Sequence, residues 1–132
     1  MRIGSLVQGS VLTMGPGHSL AEAARRMSER GVGAAVVAAE DGSPGIITER
    51  DLLRAVARGA DPGATPVADY MTPDAITASP DWDVVAAARR MLDGRFRHLV
   101  VIGPEGQVVG VLSIRDLARC LADELGSARA AG

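Results

Sequence analysis

Two stretches of this chain hold residue types whose spacing suits ligand chemistry. Gly45-Ile46-Ile47-Thr48-Glu49-Arg50-Asp51-Leu52 returns as Gly110-Val111-Leu112-Ser113-Ile114-Arg115-Asp116-Leu117, 65 residues later. Each reads as a glycine, two aliphatics suited to a buried strand, a hydroxyl residue, two spacers and an aspartate, followed by an amphipathic helical pattern. The spacing brings a hydroxyl and a carboxylate together at a strand-to-helix corner. Free backbone N–H groups and the positive end of the helix dipole point out of such a corner. A ligand with a phosphate and a vicinal diol can use all of these groups. The same residues can instead serve only the helix, because Thr48 and Asp51 suit a helix cap. One copy alone leaves both readings open.

Other chemistry has less to work with. All 14 basic residues are Arg, and the absence of Lys removes Schiff-base catalysis and a Walker-type phosphate loop. A side-chain cation that meets phosphate must therefore be Arg, which suits bidentate contact. Cys120 is the only cysteine, so no intrachain disulfide and no Cys-rich metal site is available. His18 and His98 are the only histidines and stand far apart in the chain, which makes no metal constellation. No nucleophile–base arrangement is found, and Asp81 and Asp83 read as helix-start acids. A formal net charge of −2 gives no electrostatic case for nucleic acid, and no basic run suggests a membrane surface. The start of the chain lacks a signal-peptide pattern and no apolar run spans a bilayer, so the expected location is the cytoplasm.

The elements that must position the two corners come as an internal repeat. At an offset of 64, Thr13 meets Thr77, Pro16 meets Pro80, Ala23-Ala24-Arg25-Arg26-Met27 meets the identical 87–91, and Val36-Val37 meets Val100-Val101. One inserted residue then shifts the offset to 65 at Gly45 and Gly110. In the first copy a lead-in over residues 1–10 precedes a short strand at 11–13. Ser19 caps a helix over 20–30, with Leu20, Ala23, Ala24 and Met27 on one face, and Gly31 ends it. Strands at 34–39 and 45–48 join through the Asp41-Gly42 turn, and a second helix covers 51–58. The second copy predicts a lead-in at 67–71, a strand at 75–77, and a helix from Asp83 to about Asp93. Strands at 98–102 and 108–112 follow, then a helix from Asp116 to about Leu125. Residues 1–62 and 63–125 form the two copies, and 126–132 is expected to be a disordered tail. With only Phe96, Tyr70 and Trp82 aromatic, the core must be aliphatic.

A β-α-β-β-α unit present twice, with glycine–aliphatic–aliphatic–Thr/Ser–x–x–Asp at its last corner, resembles the cystathionine-β-synthase (CBS) domain family. The chain looks like one tandem CBS pair, or Bateman module, over roughly residues 3–122. Val67-Ala68-Asp69-Tyr70-Met71-Thr72 is similar to the family's opening, and Arg97-His98-Leu99-Val100-Val101 to its central strand. The resemblance implies an α+β fold of two pseudo-twofold-related motifs packed sheet to sheet as one CBS-pair domain. It also implies two clefts between the motifs and association into homodimers.

The family's clefts hold adenosyl ligands such as AMP, ADP, ATP, NAD or S-adenosylmethionine, with the aspartate on the ribose hydroxyls. Carried over, one cleft uses Ser113 and Asp116, with adenine walls from Val32, Gly33 and Ala34 and a lead-in at Gly9 and Ser10. The other uses Thr48 and Asp51, walled by Ala75, Ile76, Phe96 and His98. Arg97, His98, Arg50 and Arg115 are the candidate phosphate contacts. Val36 and Val100 stand where many members have proline. Gly33-Ala34 faces Arg97-His98 in the alignment, so the two clefts are not equivalent, and Glu49 adds an acid on the phosphate side of one. The resemblance implies a non-catalytic sensor that binds an adenine nucleotide as ligand and uses no catalytic cofactor. The alternative is a dimerisation or docking module with degenerate clefts, using the helix faces near 20–30 and 84–92.

Overall fold

The computed structural model describes residues 1–7 and 11–131. Its elements are β1 (Thr13–Met14), α1 (Leu20–Arg30), β2 (Ala34–Ala38), β3 (Pro44–Thr48), α2 (Glu49–Ala57), β4 (Thr77–Ala78), α3 (Val84–Gly94), β5 (His98–Ile102), β6 (Val108–Ser113) and α4 (Ile114–Ala131). Two 3-10 turns, Ile3–Leu6 and Val67–Asp69, form the lead-ins. The fold is α+β, with the same β-α-β-β-α order built twice.

Each copy makes its own three-stranded sheet, in the order β1-β2-β3 and β4-β5-β6. The short first strand runs parallel to the second, and the third pairs back antiparallel. Gly42 and Gly106 take φ of 85° and 82° in the two hairpin turns, a left-handed conformation that favours glycine. The inserted residue of the second copy has a structural address. Between Val101 and Ile102 the register slips, from Val101 opposite Gly110 to Ile102 opposite Val108. Val109 is therefore the extra residue of a β-bulge, which absorbs the shift without turning Leu112 off the core face.

The helices begin where the sequence supplies caps. Ser19 accepts from the Glu22 N–H at 3.1 Å, and Asp83 accepts from the N–H groups of Val85 and Ala86. Leu20, Ala23 and Met27 are buried on α1, and their counterparts Val84, Ala87 and Met91 on α3. Ala24, expected on the same face as these, is exposed. Its counterpart Ala88 on α3 is buried, so the difference lies in what packs beside each helix and not in helical angle.

The chain divides into two compact units: Ser10–Ala75, and Met1–Gly9 together with Ile76–Gly132. This differs from a division at the repeat boundary near residue 62, because each lead-in joins the unit of the other copy. Ile3 is fully buried in a core with Ala78, Val84, Met91 and Leu99, and its N–H donates to the Trp82 carbonyl at 2.9 Å. Val67 is fully buried in a core with Leu12, Leu20, Met27 and Ile47, and its N–H donates to the His18 carbonyl at 2.7 Å. Gly4 and Ala68 repeat the pattern on the carbonyls of Pro80 and Pro16. Helix α4 also differs from expectation: it continues to Ala131 rather than ending near Leu125 before a disordered tail. Alanine and arginine beyond Gly126 favour helix enough to carry it past that glycine.

Candidate functional site

The strongest candidate chemistry lies at the ends of β3 and β6. In the unit Ser10–Ala75, Thr48 closes β3 and is the N-cap of α2. Its N–H donates to Asp51 Oδ2 at 2.8 Å and its hydroxyl donates to the same oxygen at 3.1 Å. This is a capping box with Asp in the position more often held by Glu. Asp51 is only 7% exposed and is the one buried charged residue among the described residues. Its second oxygen, Oδ1, accepts from Arg54 at 3.1 Å, and Arg54 also donates to the Tyr70 carbonyl at 3.3 Å.

The other unit builds the same corner with fewer ties. Ser113 N–H donates to Asp116 Oδ2 at 2.9 Å, and Asp116 N–H donates back to the Ser113 hydroxyl at 3.1 Å. Asp116 is half-buried, and among the described residues its Oδ1 receives no hydrogen bond. Arg119 stands where Arg54 stands in the first copy, yet it is exposed and forms no ion pair among the described residues.

The glycine that opens each motif has a steric cause. A Cβ on Gly45 would collide with the Met71 side chain and sit 2.9 Å from the Thr72 carbonyl oxygen. A Cβ on Gly110 would collide with Val7. Val7 and Met71 are counterparts in the repeat, so both lead-ins press on the third strand at the same place. The Ile46–Thr72 bridge, with bonds of 2.9 and 2.8 Å, ties the first of these contacts down.

The remaining expected site residues divide between the units. Ala34 is the register partner of Thr48, and the Gly33 carbonyl accepts from the Glu49 N–H at 2.9 Å. His98 is the register partner of Ser113, and the Arg97 carbonyl accepts from the Ile114 N–H at 2.8 Å. So Gly33-Ala34 flanks the Asp51 corner and Arg97-His98 flanks the Asp116 corner. Their charges differ. A Cβ at Gly33 would lie 3.2 Å from the Glu49 carboxylate, whereas the other corner has Arg97 and the apolar Ile114 at these places. Arg50, Arg97 and Arg115 are all exposed. Val32 and Ile76 are exposed apolar residues, at 42% and 44%, while Ala75 and Phe96 are half-buried. Gly9 and Ser10 lie outside the described residues.

Arg54 is the site residue that sequence reasoning missed. Its signal was present, since Asp51-Leu52-Leu53-Arg54 and Asp116-Leu117-Ala118-Arg119 both place an arginine three residues beyond the aspartate, on the same helix face. Among the described residues, no helix is long and apolar enough to cross a membrane.

The CBS domain family model matches residues 3–58 and 67–123. An uncharacterized 17.7 kDa protein from Acidianus ambivalens is 39% identical over 124 residues, covering 92% of this chain and 74% of that protein. A mitochondrial CBS domain-containing protein from Arabidopsis thaliana is 35% identical over 127 residues, covering 92% of this chain but 61% of its own length. Among solved structures, a CBS domain protein from Pyrobaculum aerophilum complexed with AMP matches at a TM-score of 0.82 and 33% identity, covering 96% of this chain and 99% of that one.

Proposed function

Because the chain belongs to the CBS domain family and carries the motif twice, we propose that it is a non-catalytic regulatory module that binds an adenosyl ligand. Asp51 and Asp116 hold ribose hydroxyls, and Thr48 and Ser113 orient them. Arg97, Arg50 and Arg115 are the phosphate contacts, and His98, Phe96, Ala75, Ile76 and Val32–Ala34 line the base. The ligand is an adenine nucleotide, with AMP the leading candidate, and the module acts in the cytoplasm.

The observation that carries this reading is the corner built twice, with a carboxylate gripped through one oxygen by the hydroxyl residue three places before it. The AMP complex of the Pyrobaculum protein, similar over nearly the whole of both chains, supports the ligand class. A single phosphate suits the charges better than three, because Glu49 adds an acid at one corner. Ligand regulates by binding two arrangements of the protein with different affinity.

A second reading is docking onto a second copy of the chain. The exposed apolar residues Leu53 and Val56 on α2, and Val85 and Leu92 on α3, favour it.

Isothermal titration of ligand-free protein with AMP, ADP, ATP, NAD and S-adenosylmethionine tests the first reading. A hydrogen bond to a charged group contributes about 1.5–3 kcal/mol, so Asp51→Ala or Asp116→Ala should weaken its own corner by roughly ten- to a hundredfold. Adenosyl affinities unchanged in both variants would sink the assignment. No heat with any ligand would leave docking as the better account.

A further inference from the structure

The two corners carry the same motif but engage the aspartate's second oxygen differently, and one side chain makes that difference. Asp51 is 7% exposed, with Oδ2 engaged by Thr48 and Oδ1 by Arg54. Asp116 keeps Oδ1 without a hydrogen bond among the described residues, although Arg119 lies at the matching place. A ribose diol donates to a carboxylate, and so does a guanidinium. Oδ1 can accept a second donor, but Asp51 is only 7% exposed, so a guanidinium seated on that oxygen covers the approach a ribose hydroxyl would use.

We propose that Arg54 is a latch on the Asp51 corner, which a ribose must displace, and that the Asp116 corner consequently fills first. This rests on the adenosyl-binding reading above and adds an order and a cause to it. The latch has a second anchor, since Arg54 also donates to the Tyr70 carbonyl at 3.3 Å. Tyr70 follows the lead-in turn Val67–Asp69, so one guanidinium ties α2 to the lead-in. The guanidinium can leave, because the Arg54 side chain is 49% exposed and water can take over its donors. Opening the Asp51 corner then also removes this hydrogen-bonded tie between α2 and the lead-in. That gives ligand at this corner a structural consequence which ligand at the Asp116 corner lacks.

Half-exposed ion pairs contribute little, so the latch should lower affinity at its corner by about two- to fivefold rather than block it. The test isolates that corner with Asp116→Ala and compares it with the Asp116→Ala, Arg54→Met double variant, titrating AMP and uncharged adenosine. Methionine keeps an apolar stem of similar length, and Arg54→Gln serves as the second substitution. Circular dichroism melts confirm that each variant folds. The expected result is that both probes tighten about two- to fivefold on loss of Arg54, in both substitutions. In the otherwise unaltered chain, the first site to fill should be weakened by Asp116→Ala and not by Asp51→Ala. Equal or weaker adenosine affinity without Arg54 would overturn the latch. Weakening of AMP alone would overturn it too, by making Arg54 a phosphate contact. If AMP and adenosine bind no variant, or bind without regard to either aspartate, the adenosyl reading itself fails and the latch fails with it.

Discussion

Arg95 ends α3 in the left-handed region, at φ 57°, where its repeat counterpart Gly31 ends α1 at φ 65°. Both N–H groups close the last helical turn, Gly31 onto Met27 and Ser28 and Arg95 onto Leu92 and Met91. For a residue with a Cβ this conformation costs about 1–2 kcal/mol, partly offset by the greater freedom glycine loses on folding. Arg95→Gly should therefore stabilise the protein by about 0.5–1 kcal/mol, and Gly31→Ala should destabilise it by a similar amount. No atom lies within 4 Å of a Cβ built on Gly31, so the penalty there is conformational and not steric. Urea denaturation of the two variants measures both signs. A destabilised Arg95→Gly would mean that the arginine side chain makes a contribution larger than its strain. The residue scale also explains the corner motif. Gly45 and Gly110 are required by the press of Met71 and Val7, not by backbone φ.

At the scale of elements, α1 is held by its core stripe and a charged outer face. Glu22 pairs with Arg25 and Arg26, and Arg25 also reaches Glu29 at 2.9 Å. Hydrogen bonds from Arg25 and then Arg26 hold the Glu22 carboxyl below its usual pKa, and the bonds to Glu22 and then Glu29 raise Arg25. The sign follows from the depressed carboxyl. Its contribution is present above the ordinary Glu pKa and is lost as pH falls through the lowered folded value. Glu22→Gln should lower the melting temperature slightly at pH 7, the gap should shrink as the pH falls below the ordinary Glu pKa, and added salt should shrink it too. A gap that does not shrink with falling pH would assign the effect to packing. The elements themselves were largely legible in the sequence. Ser19, Gly31 and the apolar stripe bounded α1, and the Asp41-Gly42 turn joined β2 to β3. The bulge at Val109 was visible only as a one-residue change in repeat offset, since the slip is defined by the partner strand.

At the scale of the whole molecule, each lead-in serves the other copy. Ile3 is fully buried among Val84, Met91 and Leu99, and Val67 among Leu20, Met27 and Ile47. Here Ile3 is tied by its N–H to the Trp82 carbonyl and by the Gly4 N–H to the Pro80 carbonyl, both at 2.9 Å. Ile3→Ala should therefore behave as a core substitution and cost about 2–5 kcal/mol. Thermal or urea unfolding of the full chain measures it. A loss below about 1 kcal/mol would show that the lead-in does not contribute to that core.

The sequence by itself determined the duplication, the α+β element order, the aliphatic core positions and the twice-made Thr/Ser–x–x–Asp corner. These follow from local rules: strand and helix periods, caps, turns and the repeat alignment all act over a few residues. Tertiary structure alone decided which copy each lead-in completes, and which of two matching arginines grips its aspartate. Arg54 and Arg119 occupy the same place in the motif, but only Arg54 closes onto the carboxylate, with the Tyr70 carbonyl as its second acceptor. A long, flexible side chain settles where an acceptor stands, and here that acceptor comes from a segment 16 residues away.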